Sequence, residues 1–151
     1  MDQTTAPAGA VMVCRHDRNY GAGAVGGLTG GVVFGLMMQM IGMMPMIAKL
    51  VGANSAGVGW VMHLVISAVI GLSFAWWFGP RACSPKCGAE YGLLHGLIWW
   101  VLGPLVVMPL ALGMGLQFTA AFSKPMLLSL VGHLVYGLTT GLVYSTVTKS
   151  H

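Results

Sequence analysis

Charged side chains are scarce in this sequence. Only three residues are acidic and seven are basic, so 7% of the 151 residues carry charge, whereas a soluble domain usually carries about 25%. The chain also lacks a phosphate-binding loop, because its many glycines follow helical spacing rather than a strand-turn-helix pattern. We therefore expect neither a hydrolase nor a nucleotide-binding enzyme, and at most an electron-transfer or accessory role. The basic excess of +4 is too small and too scattered to indicate a nucleic-acid partner.

Long apolar runs take the place of the missing charge, since 56% of the residues are hydrophobic. Four runs, 22–47, 58–78, 91–112 and 126–147, each supply the roughly 20 apolar residues that a helix needs to cross a bilayer. The sequence predicts an all-α membrane protein with four transmembrane helices. A polar N-terminal segment, 1–20, precedes a transmembrane domain, 21–151. We expect the protein in the cytoplasmic (inner) membrane of a bacterial or archaeal cell.

The few basic residues fall at the ends of the predicted helices, where they report orientation. Five lie on one side of the membrane and two on the other: Arg15, Arg18, Arg81, Lys86 and Lys149 against Lys49 and Lys124. Cytoplasmic loops carry the excess of positive charge. Both termini are therefore predicted to be cytoplasmic.

All three cysteines, Cys14, Cys83 and Cys87, lie on this predicted cytoplasmic side. Thiols in that compartment are normally reduced, so we expect no structural disulfide. With His16 they form a candidate zinc set, because zinc prefers four thiolate or imidazole ligands. Idle free thiols are the alternative, since the spacing of Cys14 and His16 is unlike an ordinary half-site.

An internal repeat relates the two halves of the chain. His63-Leu64-Val65 is followed by Gly71, and His133-Leu134-Val135 is followed at the same spacing by Gly141. Gly27 and Gly31 in the first run likewise match Gly92 and Gly96 in the third. The pattern predicts a tandem duplication of a helical hairpin, with repeats 22–79 and 91–148. Two helices per copy keep the copies parallel, as in parallel-repeat transporters.

Glycines are spaced to line single helix faces. Residues four apart share a face, and the set predicted to pack helices together is Gly23, Gly27, Gly31, Gly35, Gly71, Gly137 and Gly141. Small residues drive helix association in lipid because they let backbones approach. Besides membrane lipids, we expect a second copy of the chain or a larger membrane complex as partner.

His63 and His133 are the best candidates for an interior site, together with Gln39 at a similar predicted depth. Three interpretations remain open. The imidazoles could hold a haem b between facing helices, contribute to a copper site, or hydrogen-bond across the bundle to fix helix register.

The copper interpretation depends on six methionines within 37–46. Met40 and Met44 form an M-x3-M pair that is similar to the selectivity motif of eukaryotic copper transporters, although the resemblance covers one turn and implies nothing further. Met43 and Met108 are expected nearby. Thioethers and imidazoles suit Cu(I), but methionine also fills irregular gaps in apolar cores.

These features predict a small integral subunit or accessory protein of a membrane complex, with an interior histidine pair. The alternative is a small transporter or channel for a copper-type metal ion or a small solute.

Overall fold

The computed structural model describes residues 17–149, and this part of the chain is helical without a strand. The α-helices are α1 (Tyr20–Met40), α2 (Met44–Ala48), α3 (Ala56–Trp77), α4 (Pro85–Leu102), α5 (Met108–Ala111) and α6 (Lys124–Lys149). Short 3₁₀ turns lie at Lys49–Val51, Gly79–Arg81 and Phe118–Ala120, and a π-helical turn spans Gly103–Val107. Four helical segments are long and apolar enough to cross a membrane. The prediction of an all-α protein with four helices able to span a membrane is confirmed.

The first apolar run is not one helix. The Asn19 side chain caps α1 by accepting a hydrogen bond from the Ala22 amide at 2.8 Å, as is typical of an N-cap. The helix ends at Met40, and Gly42 adopts a φ of +71° that only glycine takes without strain. The chain then turns into α2, with Pro45 in its first turn. The expected continuous helix 22–47 is therefore interrupted.

Two prolines reshape the third span. Pro104 lies at the start of the π-helical turn that separates α4 from α5, and Pro109 lies at the start of α5. Pro109 has no amide proton to give to the Leu105 carbonyl, so this carbonyl is free for another donor. The Gln117 amide donates to Leu105 O at 3.0 Å, which brings the loop after α5 back onto the turn. The resulting widened segment borders the cavity described below.

The four long helices pack in the order α3, α1, α6, α4. Helix α1 packs against both α3 and α6, and α6 packs against both α1 and α4. Helices α3 and α4 instead meet through side chains, such as the stacked Trp77 and Trp99 rings. The bundle therefore has three backbone-close interfaces and one interface built from large side chains.

Glycine makes the three close interfaces possible. A Cβ added at Gly23 would lie 2.7 Å from Gly71 O on α3, and one at Gly26 would lie 2.7 Å from Thr140 O on α6. Between α4 and α6, a Cβ at Gly92 would overlap Gly137 O. A side chain at any of these positions would push two backbones apart.

Each hairpin contains one matching glycine contact. A Cβ at Gly27 would meet the Gly71 Cα at 2.7 Å, and a Cβ at Gly141 would meet the Gly92 Cα at 3.1 Å. These are the pairs that the internal repeat aligns. The duplication itself and the cytoplasmic location of the termini stay predictions.

Gly92→Ala tests the close contact between α4 and α6. We expect it to destabilise the protein by about 1–3 kcal/mol, because the new methyl group overlaps backbone that cannot move alone. Gly57→Ala is the matched control: Gly57 is exposed in the first turn of α3, and its nearest neighbour to an added Cβ is 3.7 Å away. Thermal unfolding in detergent, followed by circular dichroism, measures both. Equal stability of the two variants would contradict the packing argument.

Candidate functional site

A cavity of about 290 Å³ lies at the end of the bundle where α1 ends and α6 begins. Its walls come from α3 on one side and from the π-helical turn and α5 on the other, with α2 above and α6 behind. Most of the lining is apolar. The polar residues on the lining are His63, Ser67, Gln117, Ser129, His133 and Tyr136.

His63 projects from α3 and is 6% exposed. Its Nε2 lies 2.9 Å from Gly31 O on α1. A carbonyl only accepts, so Nε2 carries the proton and donates it. The Cδ2 atom beside Nε2 faces Gly35, 3.1 Å from a Cβ built there. The unprotonated Nδ1 lies on the opposite edge of the ring, away from these contacts with α1, and the residue lines the cavity.

His133 projects from α6 in the opposite tautomer. Its Nδ1 lies 2.8 Å from Ser129 O, one turn earlier on the same helix, and so donates a proton to that carbonyl. Nε2 is left with a lone pair, 3.6 Å from the position of a Cβ at Gly103 on the cavity wall. Neither His133 Nε2 nor His63 Nδ1 has a hydrogen-bond partner among residues 17–149.

The two imidazoles therefore present the same chemistry to one apolar space. Each ring donates its only N–H to a backbone carbonyl, and the other ring nitrogen keeps its lone pair. Such a nitrogen accepts a hydrogen bond or binds a metal ion, but it cannot donate to a ligand carbonyl. We call this pair of imidazoles, His63 and His133, the acceptor site, because it can accept hydrogen bonds but not donate them.

Phe34 of α1 contacts both histidines. Its ring centroid lies 5.6 Å from that of His63 and 4.9 Å from that of His133, edge-on in each case. A bis-histidine haem would need its porphyrin plane against both imidazoles, and the Phe34 ring already packs edge-on against each of them. His63 Nε2 is also committed to Gly31 O. The residues present do not fit the predicted haem b.

Gln39 does not join this pair. Its side chain is exposed, and its Oε1 accepts a hydrogen bond from Trp60 Nε1 at 3.2 Å. Gln39 follows the glycine face of α1 to its last turn and so meets α3 at Trp60. It lies above the histidines, against the Trp60 indole, and does not line the cavity.

The methionines do not form the arrangement that the copper interpretation predicts. Met40 is 87% exposed and Met44 is fully buried, because α1 ends between them and their helical register is lost. The M-x3-M pair therefore does not form one face. Met43 and Met108 do reach the cavity, and the full set of methionines on its lining is Met38, Met43, Met46, Met108, Met114 and Met126.

The predicted zinc set is not assembled in the described part of the chain. Cys14 and His16 lie outside residues 17–149. Cys83 is in a disulfide, in contrast to the expectation of reduced thiols, while Cys87 is a free thiol. A disulfide sulfur is not the thiolate that zinc requires. Within residues 17–149, no three His, Cys, Asp or Glu side chains form a metal-binding group.

Sequence reasoning missed three aromatic residues that shape the site. Phe34 touches both imidazoles, Trp99 forms part of the lining, and Tyr136 donates from its hydroxyl to Ser67 O at 2.7 Å. Apolar and aromatic side chains are common in membrane helices, so composition did not distinguish these three.

Comparison with known proteins adds no relative: the chain matches no family model, no curated protein and no solved structure.

The assigned tautomers give a direct spectroscopic test. In protein labelled with ¹⁵N-histidine, we expect His63 to carry its proton on Nε2 and His133 on Nδ1, because each proton is held by a backbone carbonyl. Two-dimensional ¹⁵N–¹H correlation spectra distinguish the two forms, and single His→Phe variants assign the signals. Finding either ring as the other tautomer would contradict the acceptor site.

Proposed function

We propose that this integral membrane protein binds a lipophilic small molecule within the bilayer, and that the ligand donates hydrogen bonds to His63 and His133. The observation that carries the proposal is the pair of imidazoles on the lining of one apolar cavity, each with a nitrogen lone pair that no carbonyl occupies. The protein would act as a carrier for such a compound or as the accessory subunit that holds it.

The size of the cavity supports an organic ligand. At about 290 Å³, it has roughly twice the volume of an engineered apolar cavity of about 150 Å³ that binds benzene. It also lies near the lower end of the range of about 300–1,000 Å³ for small-molecule sites. A fused two-ring compound is therefore the expected scale.

The lining supports a ligand that is mainly apolar with few donor groups. Methionine side chains adapt their shape and are common at binding surfaces of broad specificity. A neutral hydrogen bond contributes about 0.5–1.5 kcal/mol net. An apolar compound with a hydroxyl or N–H group should therefore be preferred over one of equal size that cannot donate.

A matched pair of probes tests this preference. We expect 1-naphthol to bind about three- to tenfold more tightly than 1-methoxynaphthalene, since only the phenol can donate and about 1.4 kcal/mol corresponds to tenfold. His63→Phe and His133→Phe should each reduce this ratio, and the double variant should abolish it. Titration calorimetry in nanodiscs provides the affinities.

The methyl ether serves as the internal control, because its affinity should change little in the histidine variants. Gly103→Leu should weaken both probes alike, since its side chain would project into the cavity beside His133 Nε2. If wild-type protein binds the phenol and its ether equally, or binds neither, the proposed function is wrong.

Copper is the second candidate, favoured by the six methionines on the cavity lining. Imidazole lone pairs and thioethers are suitable ligands for Cu(I), and a metal-binding histidine typically donates its other N–H to a carbonyl, as both rings do here. The cavity is, however, much larger than one ion needs. The organic ligand therefore remains the first choice.

Competition with a chromogenic Cu(I) chelator tests this second candidate. If copper binds in the cavity, the His63→Phe/His133→Phe variant should lose at least tenfold in affinity and Met108→Leu should lose part of it. Met40→Leu is the matched control, because Met40 is 87% exposed and lies outside the cavity. Wild-type protein that releases all Cu(I) to the chelator would exclude the copper function.

A further inference from the structure

The wall of the cavity between α3 and the π-helical turn is built from side chains. Helix α3 makes few close backbone contacts with α4, the π-helical turn or α5. Ser73 of α3 hydrogen-bonds to the His95 and Trp99 rings of α4, but within residues 17–149 no hydrogen bond joins α3 to residues 103–117. Packing alone therefore closes this side, in contrast to the glycine contacts that α1 makes with α3 and α6.

Exposed residues on the cavity lining indicate where the cavity opens, since it is not enclosed. Val107 of the π-helical turn lines the cavity and is 56% exposed. Opposite it on α3, Ile66 and Ile70 line the cavity and are half-buried. On the side of α1 and α6 the lining is closed, because Phe34 is 8% and Tyr136 is 3% exposed. The cavity therefore has an opening between α3 and the π-helical turn, which we call the lateral opening.

The lateral opening lies at the depth of the hydrocarbon. Ile66 is the eleventh of the 22 residues of α3, so it lies near the middle of that candidate span. Val107 lies about 6 Å inside the end of the span Pro85–Ala111, at 1.5 Å per residue. The side chains of Ile66, Ile70 and Val107 are all branched and aliphatic. A ligand that extends between them meets lipid tails rather than water.

A second exposed edge of the cavity lies at the loop after α5, where Met114 is on the lining and is 61% exposed. Backbone hydrogen bonds hold this edge: Met114 N donates to Pro109 O at 2.8 Å, and Gln117 N donates to Leu105 O at 3.0 Å. The loop also lies beyond the candidate spans. An apolar chain that left the cavity here would lose the hydrocarbon environment that it gains at the lateral opening.

We propose that the ligand is a lipid-like alcohol or phenol: its hydroxyl head group binds at His63 and His133, and its alkyl chain leaves through the lateral opening and lies in the bilayer. This inference rests on the proposed function, because it names the class of the same donor-bearing ligand. The cavity of about 290 Å³ then holds only the head group. Such a ligand exchanges directly with the membrane.

A probe pair with long chains tests this inference in full-length protein in phosphatidylcholine nanodiscs. 4-Dodecylphenol and 4-dodecylanisole carry a chain that does not fit beside the ring in a space for about two fused rings. With the chain in the bilayer, we expect the phenol to bind about three- to tenfold more tightly than the ether. The His63→Phe/His133→Phe variant should abolish this preference. Partition of radiolabelled probes between protein-containing and empty nanodiscs gives both affinities.

Val107→Trp should narrow the lateral opening. We expect it to lower the affinity for 4-dodecylphenol about fivefold or more, because the indole competes with the chain for space, and to leave the 1-naphthol ratio unchanged. Leu110→Trp is the matched control, since Leu110 is 55% exposed and does not line the cavity. Ile66→Trp and its control Val65→Trp repeat the comparison on α3, in case Val107→Trp does not fold; Val65 is 53% exposed and lies outside the lining.

The outcomes separate this inference from the proposed function. A wild-type protein that prefers 1-naphthol to its ether but binds the dodecyl pair equally, or binds neither member, would overturn this inference alone. Equal affinities in Val107→Trp and Leu110→Trp would also overturn it, as would a loss that follows Met114→Trp instead, because the chain would then leave the cavity elsewhere. Indifference to the naphthol pair would overturn the proposed function itself.

Discussion

Close contact between helix backbones is the constraint on which the rest of this structure depends. In lipid, burial of apolar surface does not drive helices together, so packing distance does. Gly23 and Gly71 bring α1 onto α3, and Gly26 brings α1 onto α6. Gly92 and Gly137 bring α4 onto α6. A methyl group at these positions would overlap the neighbouring backbone. Three of the four interfaces are therefore closed along their length.

The fourth interface, between α3 and α4, borders the cavity because no glycine contacts close it. Helices α3 and α4 are held apart by large side chains, which fill one half of the gap with rings around His95 and leave the other half as a cavity. The π-helical turn at Gly103–Val107 widens the cavity half. His63 and His133 line the cavity half, and a backbone carbonyl accepts the N–H of each ring, which leaves the other ring nitrogen of each without a proton.

Much of the fold was predictable, and the site only in part. Four apolar runs of sufficient length predict four spanning helices, because the bilayer sets the length of the element. His63 and His133 share small-residue faces, and both reach the cavity. Gln39 does not, because its exposed side chain accepts a hydrogen bond from Trp60 instead. Met40 does not, because α1 ends at Met40 and its helical register with Met44 stops there. Gly42, with its positive φ, was the local signal of that end.

The sequence by itself predicted the membrane class, the number of candidate spans and the glycine faces. Apolar length and glycine spacing are local properties of each segment, and they determine how that segment inserts and packs in lipid. Only the tertiary structure decided which interface stays open and which nitrogen of each histidine is free. Those properties depend on partners far apart in the chain, such as Gly31 O for His63. Sequence periodicity predicts the helix face on which a histidine lies, but the carbonyl that its ring contacts determines which nitrogen carries the proton.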